Sequence, residues 1–217
     1  MTTAPNAAST TPSWPTVAHG YSHVPAGHLA SVVTFLEMRT RPPRRPTRVA
    51  NDELSLQRLG GSDLSAYRAL FAAVGERWLW FSRLALDDAS LKAILDDVAV
   101  QAYAVHSEAA GVIGLLELDF RVAGSCELAF FGVLESYVGH GVGRWLMEQA
   151  MEIAWTTTGV SRVHVHTCTL DHPAALGFYV RSGFSATGRA VEVAPDPRAL
   201  GLLPTTAAPD VPLTGPL

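Results

Sequence analysis

The sequence has very little cysteine and no long uninterrupted apolar run. Its 217 residues include two cysteines, Cys126 and Cys168, which is too few for the disulfide framework of a small secreted domain. No apolar run approaches the roughly 20 residues that a membrane-spanning helix requires. We therefore expect a reducing, cytoplasmic setting and no membrane partner.

Positive charge is also scarce and comes almost entirely from arginine. Lys92 is the only lysine among 16 basic residues, and 20 acidic residues bring the net charge to −4. A chain without a global basic field does not attract nucleic acid, so we expect no nucleic-acid partner. Histidines aside, no charged residue precedes Glu37. The leader thus lacks the basic start and apolar centre of a signal peptide, which again favours the cytoplasm.

Composition predicts one globular domain with an extension at each end. Hydrophobic residues make up 48% of the chain, which is sufficient for one core. The expected segments are an N-terminal extension (1–48), a globular domain (49–194) and a proline-containing C-terminal tail (195–217). Within the extension we expect a disordered leader (1–16), a β-prone run (29–38) and a solvated Arg/Pro linker (39–48). The β-prone run pairs either within the chain or across a homodimer.

Hydrophobic periodicity in the central segment predicts a mixed α/β fold. Strands are expected at 54–59, 100–106, 111–120, 126–133, 160–167 and 184–193, and helices at 63–74, 87–97, 141–155 and 173–182. Three consecutive strands favour an antiparallel meander, while the strand–helix–strand unit after them favours a parallel crossover. A mostly antiparallel sheet with one parallel pair and helices on both faces follows.

The clearest chemical signal is a glycine-rich turn between a predicted strand and an amphipathic helix. Gly139, Gly141 and Gly143 occupy alternate positions there. Glycines let the backbone approach a ligand closely, and free N–H groups at a helix start favour an anion. The turn therefore predicts a diphosphate site. Its spacing fits neither the dinucleotide pattern G-x-G-x-x-G nor the mononucleotide loop G-x-x-x-x-G-K-[ST].

This turn and a second motif resemble the two signatures of the GNAT acyl-CoA-dependent N-acetyltransferases. The first signature, [Arg/Gln]-x-x-Gly-x-[Gly/Ala], corresponds to residues 138–143, with Val138 at the Arg/Gln position. The second, Asn-x-x-Ala-x-x-x-Tyr-x-x-x-Gly-Phe, corresponds to residues 172–184, with His172 in place of Asn. Its Ala, Tyr, Gly and Phe positions are matched by Ala175, Tyr179, Gly183 and Phe184. The resemblance covers about residues 54–193, and the motif HTCTLDHP at 166–173 is similar to a bacterial subgroup without an established acceptor.

The resemblance implies the GNAT fold, with acetyl-CoA as the cofactor in a cleft where strands 127–133 and 161–168 splay apart. The implied cofactor contacts are Phe131, Gly132, Val133, Val138, Gly139, His140, Gly141, Val142, Gly143, Arg144 and His172. A backbone N–H near residues 131–133 would polarise the thioester carbonyl. Because Val138 supplies no polar group, backbone amides would bind most of the diphosphate, with Arg144 or His140 compensating.

The resemblance further implies transfer of an acetyl group to a primary amine by direct attack. Glu127 is the candidate base, since it lies eleven residues before Val138, as the catalytic glutamate does in histone-type members. Its apolar neighbours at 128–131 would raise the pKa of its carboxyl toward neutrality. Tyr179 is the candidate acid that protonates the leaving thiolate. The alternatives are a strand salt bridge for Glu127 and simple packing for Tyr179.

Candidate contacts to the acceptor, a small-molecule or peptide amine, are aromatic or ionisable. They are Trp78, Trp80 and Phe81 between two predicted helices, Glu117 and Asp119 on one strand face, and His166. The aromatic residues otherwise belong to the core, and the two carboxylates otherwise face solvent.

Other readings of the same residues stay open. His164, His166 and Cys168 share a strand face, which permits a zinc site, a proton relay through His166 or Asp171, or acylation of Cys168. We expect no metal, because no separate carboxylate–histidine set completes the pattern. The whole chain could instead be a non-catalytic acyl-CoA-binding module, a scaffold, or an acyltransferase for another acyl group.

Overall fold

The computed structural model describes residues 14–43 and 53–215. Most of the predicted disordered leader (1–13) and part of the Arg/Pro linker (44–48) therefore lie outside the described residues. The described elements are β1 (His28–Met38), β2 (Leu54–Leu59), α1 (Leu64–Gly75), α2 (Asp88–Leu95), β3 (Val100–Ser107), β4 (Gly111–Asp119), β5 (Ser125–Val133), α3 (Val142–Thr156), β6 (Arg162–Cys168), α4 (Ala175–Arg181) and β7 (Ser185–Pro195). Short 3₁₀ turns lie at Glu76–Trp78 and Glu135–Tyr137.

The strands form one mixed sheet in the order β2-β3-β4-β5-β6-β1-β7. β5 and β6 pair in parallel, and all other described neighbours pair antiparallel. The predicted meander corresponds to β3–β4–β5, and the predicted crossover is the β5–α3–β6 unit. The mixed α/β fold class is thus confirmed.

Helices cover both faces of the sheet. On one face, α1 and α2 bury a cluster that includes Tyr67, Phe71, Leu91, Ala102 and Leu115. On the other, α3 and α4 pack on a larger cluster that includes Leu118, Leu128, Leu146, Val163 and Tyr179. Each fully buried large apolar side chain contributes about 1.5–3 kcal/mol. α1 and α3 both contact β4 and β5, so these two strands lie between the helical layers.

The two helices of the first layer begin at acidic residues that make different contacts. Asp87 caps α2, because its carboxylate accepts the N–H of Ser90 at 2.7 Å. Asp63 occupies the N-cap position of α1 without a side-chain cap, since its carboxylate accepts the N–H of Gly60 at 2.9 Å. The acid at the start of α1 therefore closes the preceding turn instead.

β1 comes from the predicted N-terminal extension and lies inside the sheet, between β6 and β7. Phe35 is opposite His166 on β6 and opposite Gly188 on β7. Pairing within the chain is thus confirmed for the run predicted at 29–38. Homodimerisation stays a prediction. Because β1 belongs to the sheet, a truncation of residues 1–48 made to test a scaffold role would also remove a strand.

The C-terminal tail also packs onto the domain, although the sequence predicted little pattern there. Arg198 is 4% exposed, and its guanidinium donates to the carboxylate of Asp196 at 2.7 Å and to the carbonyl of Val211 at 2.8 Å. Around this residue, Leu203, Ala207 and Ala208 pack with Leu79, Leu29 and Leu170. One buried arginine thus organises irregular backbone that has no hydrophobic period. In the part of the chain that the structure describes, no helix is long and apolar enough to cross a bilayer.

Candidate active site

The site is built around an opening between β5 and β6. These parallel strands pair at Ser125–Arg162, Cys126–Val163 and Glu127–His164, and their described pairing ends there. β5 nevertheless continues to Val133, while the rest of β6 pairs with β1 on its other side. The opening thus begins at Glu127, where the sequence predicted that the two strands splay apart.

Backbone N–H groups of β5 point into this opening. The N–H of Leu134 donates to the carbonyl of Ile113 on β4 at 2.8 Å, and Gly132 is opposite Leu115. Because successive N–H groups of a strand alternate in direction, those of Phe131 and Val133 point away from β4, towards the opening. They can pair with an extended ligand or polarise a carbonyl group.

A bulge in β5 sets which side chains face each helical layer. Glu117 is opposite Phe130 and Leu118 is opposite Leu128, so Ala129 is the extra residue. After the bulge, Phe130 packs with the α1–α2 cluster and Phe131 with the α3–α4 cluster. The strand therefore presents one aromatic ring to each side of the opening.

The glycine turn leads into α3 with the geometry of an anion site. Gly139 and Gly141 have φ of 87° and 88°, a left-handed conformation that favours glycine. The first helical bond is from the N–H of Trp145 to the carbonyl of Gly141 at 3.1 Å. Within the described residues the N–H groups of residues 141–144 have no backbone acceptor, and the first turn carries no acidic side chain. A Cβ placed on Gly139 would meet nothing within 4 Å, so space for a ligand is present.

The N–H groups of residues 141–144 form an amide cradle, and the polar side chains of the turn lie outside it or at its edge. Val138 and His140 are exposed, Arg144 is exposed on the first turn of α3, and Val142 is buried in the core. The cradle itself is therefore formed by backbone, and Arg144 is the cation nearest to it in sequence. This arrangement fits a diphosphate such as that of coenzyme A.

Glu127 and His166 form an ionisable pair at the mouth of the opening. Glu127 lies between Cys126 and Leu128, which pack on the α3 side, so its side chain faces the α1–α2 side. His166 Nδ1 is 3.4 Å from the Glu127 carboxylate. The side chains of His166 and Glu127 are 46% and 31% exposed, so a ligand can reach both.

The expectation of a raised pKa for Glu127 is wrong. Burial acts to raise the pKa of this carboxyl, but the hydrogen bond and charge of His166, with a contribution from His164, outweigh it and lower the pKa. The hydrogen bond to Glu127 in turn raises the pKa of His166 against the effect of burial, helped by the carboxylates of Asp171 and Glu192. The expectation used only the apolar sequence neighbours of Glu127. These give no information about His166, which lies on β6 two residues beyond His164, the residue opposite Glu127.

Tyr179 lies on α4 beside the open stretch of β5. It is 7% exposed, and its ring is 6.2 Å from that of Phe131 and 5.8 Å from that of Phe184. Burial raises the pKa of its phenol, and the charge of Asp171 adds to this effect. Among the described residues no hydrogen bond to the Tyr179 hydroxyl is present. The phenol is therefore held protonated and has a free proton to donate.

Trp80 connects the two sides of the opening. Its indole N–H donates to the carboxylate of Asp171 at 3.2 Å, just after β6. Its ring lies against β5, since a Cβ on Gly132 would be 3.1 Å from the ring. It also contacts Phe71 and Phe130, with centroids 5.7 and 5.4 Å apart. Trp80 thus packs in the core and also lies beside the site, so both alternatives given for the aromatic residues describe it.

The other predicted aromatic and cofactor residues lie nearby. Trp78 makes an edge contact with His172 at 5.1 Å between ring centroids. His172 Nδ1 accepts the N–H of Ala174 at 3.0 Å before α4, which leaves Nε2 for another partner. Phe81 is partly buried, and its carbonyl closes the turn that leads to Leu84.

Glu117 and Asp119 are engaged within the protein. Glu117 is 0% exposed, its carboxylate accepts the hydroxyl of Tyr67, and Arg83 donates to it at 2.6 Å. The solvent-facing alternative is therefore wrong for Glu117, and the structure leaves it no open side for an acceptor. Asp119 accepts the N–H of Arg121 at 2.9 Å and pairs with its guanidinium.

The remaining candidates on β6 are Cys168 and His164, and burial opposes the reactive form of each. Burial raises the pKa of the Cys168 thiol and burial lowers the pKa of His164, which disfavours the thiolate of one and the charged form of the other. Among residues 14–43 and 53–215, no group of three His, Cys, Asp or Glu side chains is arranged to hold a metal ion.

Sequence reasoning missed several residues of this region: Trp14, Phe35, Tyr67, Arg83 and Phe130. Phe35 reaches His166 only because β1 pairs with a strand 131 positions away in the register Phe35–His166. Arg83 was hidden because it lies between α1 and α2, while its partner, Glu117, is 34 positions later on β4. The excess of aromatic residues near Trp80 was the available signal for this region.

Known proteins share sequence and fold features with this chain. The sequence model of the acetyltransferase (GNAT) family matches residues 70–184. A search of curated proteins found no match. A functionally unknown conserved protein from Staphylococcus epidermidis ATCC 12228 is similar in structure, with a TM-score of 0.53 and 14% identity over 78% of this chain and 64% of that one.

Two further solved structures are acetyltransferases by description. A GCN5-related N-acetyltransferase from Kribbella flavida has a TM-score of 0.50 and 15% identity over 79% of this chain and 60% of that one. AAC(6')-Iy, in complex with the bisubstrate analog CoA-S-monomethyl-acetylneamine, has a TM-score of 0.50 and 20% identity over 64% of this chain and 95% of that one. The chain spans less than two thirds of the length of the first two relatives. These likenesses concern the fold, whereas the family match covers more than half of the sequence. The chain belongs to the acetyltransferase (GNAT) family, a family of acyltransferase enzymes.

Proposed function

We propose that this protein is an N-acetyltransferase that moves the acetyl group of acetyl-CoA to a primary amine by direct attack. The observation that carries the proposal is the opening that begins at Glu127, with the glycine turn of α3 and Tyr179 on the same side of the sheet. A cytoplasmic setting and a bacterial origin belong to this proposal too, on the grounds of cysteine content and motif.

The backbone supplies the contacts that acetyl-CoA needs. The N–H groups of residues 141–144 bind the diphosphate, and the positive φ of Gly139 and Gly141 lets the chain curve around it. Val138, His140, Val142 and Gly143 contribute through their place in this turn, and Arg144 adds a charge. The Phe131 and Val133 N–H groups pair with the pantetheine arm and polarise the thioester carbonyl. Gly132 between them lets Val74 and Trp80 pack closely against the strand. His172 Nε2 is a further donor to the cofactor.

The acceptor amine approaches from the α1–α2 side, where Glu127 and His166 lie. Since the pKa of Glu127 is lowered, its carboxylate is charged at neutral pH and attracts the ammonium form of an amine. An ammonium nitrogen has no free electron pair, so its proton first passes to the Glu127 carboxylate, and the neutral amine then attacks the thioester carbonyl carbon. The indoles of Trp78 and Trp80, with Phe81 and Asp119, border this approach.

Tyr179 completes the reaction as the acid. The C–N bond forms, the C–S bond breaks, and the thiolate takes the phenolic proton of Tyr179. The nitrogen loses its second proton as the amide forms, and this proton restores the phenol through solvent. The proton held by Glu127 is released to solvent. A phenol whose pKa is raised stays protonated until the thiolate forms, which suits this role.

A calorimetric titration with acetyl-CoA tests the first half of the proposal, and absence of binding at millimolar cofactor would reject it. An amine screen with Glu127→Gln and Tyr179→Phe tests the second half. We expect kcat to fall by roughly 10²–10⁴-fold in each variant, with an unchanged Kd for acetyl-CoA. Tyr103→Phe is the matched control, since its hydroxyl bonds Gln101 at 2.7 Å on β3. Full turnover in both variants would reject the two assigned roles.

A second candidate is a non-catalytic acyl-CoA-binding module that uses the same opening. The lowered pKa of Glu127 favours it, because a weakly basic carboxylate is a poor base. The two candidates differ in single-turnover release of CoA with any amine. Titration with longer acyl-CoA esters separates acetyl transfer from transfer of another acyl group.

A further inference from the structure

β1 places an aromatic side chain next to the ionisable pair of the opening. Phe35 is directly opposite His166, and their ring centroids are 6.2 Å apart. Leu36 packs on the α3 side, so Phe35 faces the α1–α2 side, as Glu127 and His166 do. A strand from outside the segment of the family match therefore borders the acceptor side of the site.

Trp14 extends this aromatic surface. Its ring stacks on Phe35 with centroids 5.3 Å apart and an angle of 29° between the planes. Trp14 is 41% exposed, so part of the indole is available to a ligand. Two aromatic rings from the N-terminal segment thus follow one another away from His166.

Negative charge surrounds the same place. The Glu127 carboxylate lies 3.4 Å from His166, and Asp171 and Glu192 act on His166 from the end of β6 and from β7. Glu192 is exposed and opposite Ser31, on the same face of β1 as Phe35. The surface beside the opening is therefore aromatic and acidic, which suits a cation attached to an apolar body.

We propose that Trp14 and Phe35, the aromatic wall, are specificity-determining residues that bind the apolar body of the acceptor, and that the acceptor is an arylalkylamine or an alkylamine with a large apolar body. This inference rests on the proposed function for the position of the acceptor. The ammonium group lies towards Glu127, and the aromatic or alkyl part packs against the rings of the wall. A highly hydroxylated amine gains nothing from such a surface, because its hydroxyl groups would lose water without finding hydrogen-bond partners.

The experiment measures amine binding directly, with 2-phenylethylamine and ethylamine as probes and the full chain as the protein. Calorimetric titrations are made with and without CoA. The variants are Trp14→Ala, Phe35→Ala and the size-conserving Phe35→Leu. Val32→Ala is the control, since Val32 is 36% exposed on the opposite face of β1. Thermal unfolding identifies any variant that fails to fold.

We expect the Kd of 2-phenylethylamine to rise about fivefold or more in Trp14→Ala and Phe35→Ala, the range for losing one aromatic contact. The Kd of ethylamine and that of acetyl-CoA should change less than twofold, and Val32→Ala should resemble the unmodified protein. Equal Kd values for the two amines, or no effect of the wall variants, would overturn the inference. Wall-dependent amine binding in a protein that does not bind acetyl-CoA would uphold the wall and reject the transferase.

Discussion

The indole N–H of Trp80 donates to the carboxylate of Asp171 at 3.2 Å, from the α1 side of the opening to the end of β6. The same carboxylate also accepts the hydroxyl of Thr167 at 2.7 Å and the N–H of Cys168 at 2.8 Å. Asp171 thus fixes the turn after β6 and connects it to the ring that lies on β5.

Trp80→Phe keeps an aromatic ring on β5 but removes the donor to Asp171. We expect a loss of about 0.5–1.5 kcal/mol in the free energy of unfolding, the usual net value of one hydrogen bond. We also expect a higher KM for the acceptor, because the turn at Asp171 is less well fixed. Urea denaturation and steady-state kinetics measure the two effects. Trp155→Phe, near the end of α3, is the control, since its indole N–H has no hydrogen-bond partner among the described residues. Equal effects of both substitutions would contradict a special role for the Trp80 hydrogen bond.

Gly132 is required where Trp80 and α1 approach β5. A Cβ at this position would lie 2.5 Å from Cγ1 of Val74, closer than real contacts allow. Gly132→Ala should therefore cost about 1–3 kcal/mol through overpacking, and it should weaken acetyl-CoA binding because the open strand shifts. Gly188→Ala on β7 is the control, since a Cβ there meets nothing within 4 Å. If thermal unfolding gives the same midpoint for both variants, the close packing at Gly132 is refuted.

The sequence allowed most elements and the place of the opening to be predicted, because these depend on local patterns. The strand predicted at 54–59 is β2 (Leu54–Leu59), and the glycine turn located the start of α3. The opening followed from the family resemblance at residues 127–133. These features require only period, turn chemistry and motif spacing.

Features that depend on contacts between distant segments could not be predicted. The pKa of Glu127 was expected to rise because its sequence neighbours are apolar, but His166, 39 positions later, reverses the shift. The β1 position between β6 and β7 has no local signal, since any edge or gap of the sheet satisfies the same alternation. Burial of Arg198 in the tail is likewise invisible in a proline-containing, aperiodic stretch.

The Glu127–His166 pair predicts a window of pH in which it stabilises the fold. The pKa of His166 is raised, so its contribution is present below about 6.5, its ordinary value, and is lost as pH rises through the raised pKa. The pKa of Glu127 is lowered, so its contribution is lost as pH falls through the lowered pKa. The two shifts therefore favour the folded protein most between these limits.

His166→Gln tests this window by thermal unfolding across pH. The midpoint should fall most, relative to the unmodified protein, between about pH 5 and 6.5, and the difference should shrink at higher pH. His106→Gln, on β3, is the control and should show no such maximum. A difference that grows steadily from pH 6 to pH 9 would contradict the assignment of a charged pair.

Arg198 predicts that one substitution releases the whole C-terminal tail. Its guanidinium donates to the Asp196 carboxylate and to several tail carbonyls, and both side chains of the pair are 2% exposed. Arg198→Ala leaves Asp196 buried without its partner, which costs about 3–5 kcal/mol in the free energy of unfolding. Urea denaturation measures this loss, and limited proteolysis should cut within residues 196–215. Arg189→Ala, at an exposed arginine of β7, should have little effect on either readout.

Because the tail packs on Leu79 beside Trp78 and Trp80, Arg198→Ala should also raise the KM for the acceptor while the Kd for acetyl-CoA stays the same. A tail that resists protease in Arg198→Ala would show that the apolar contacts of Leu203 and Ala207 hold it without the arginine.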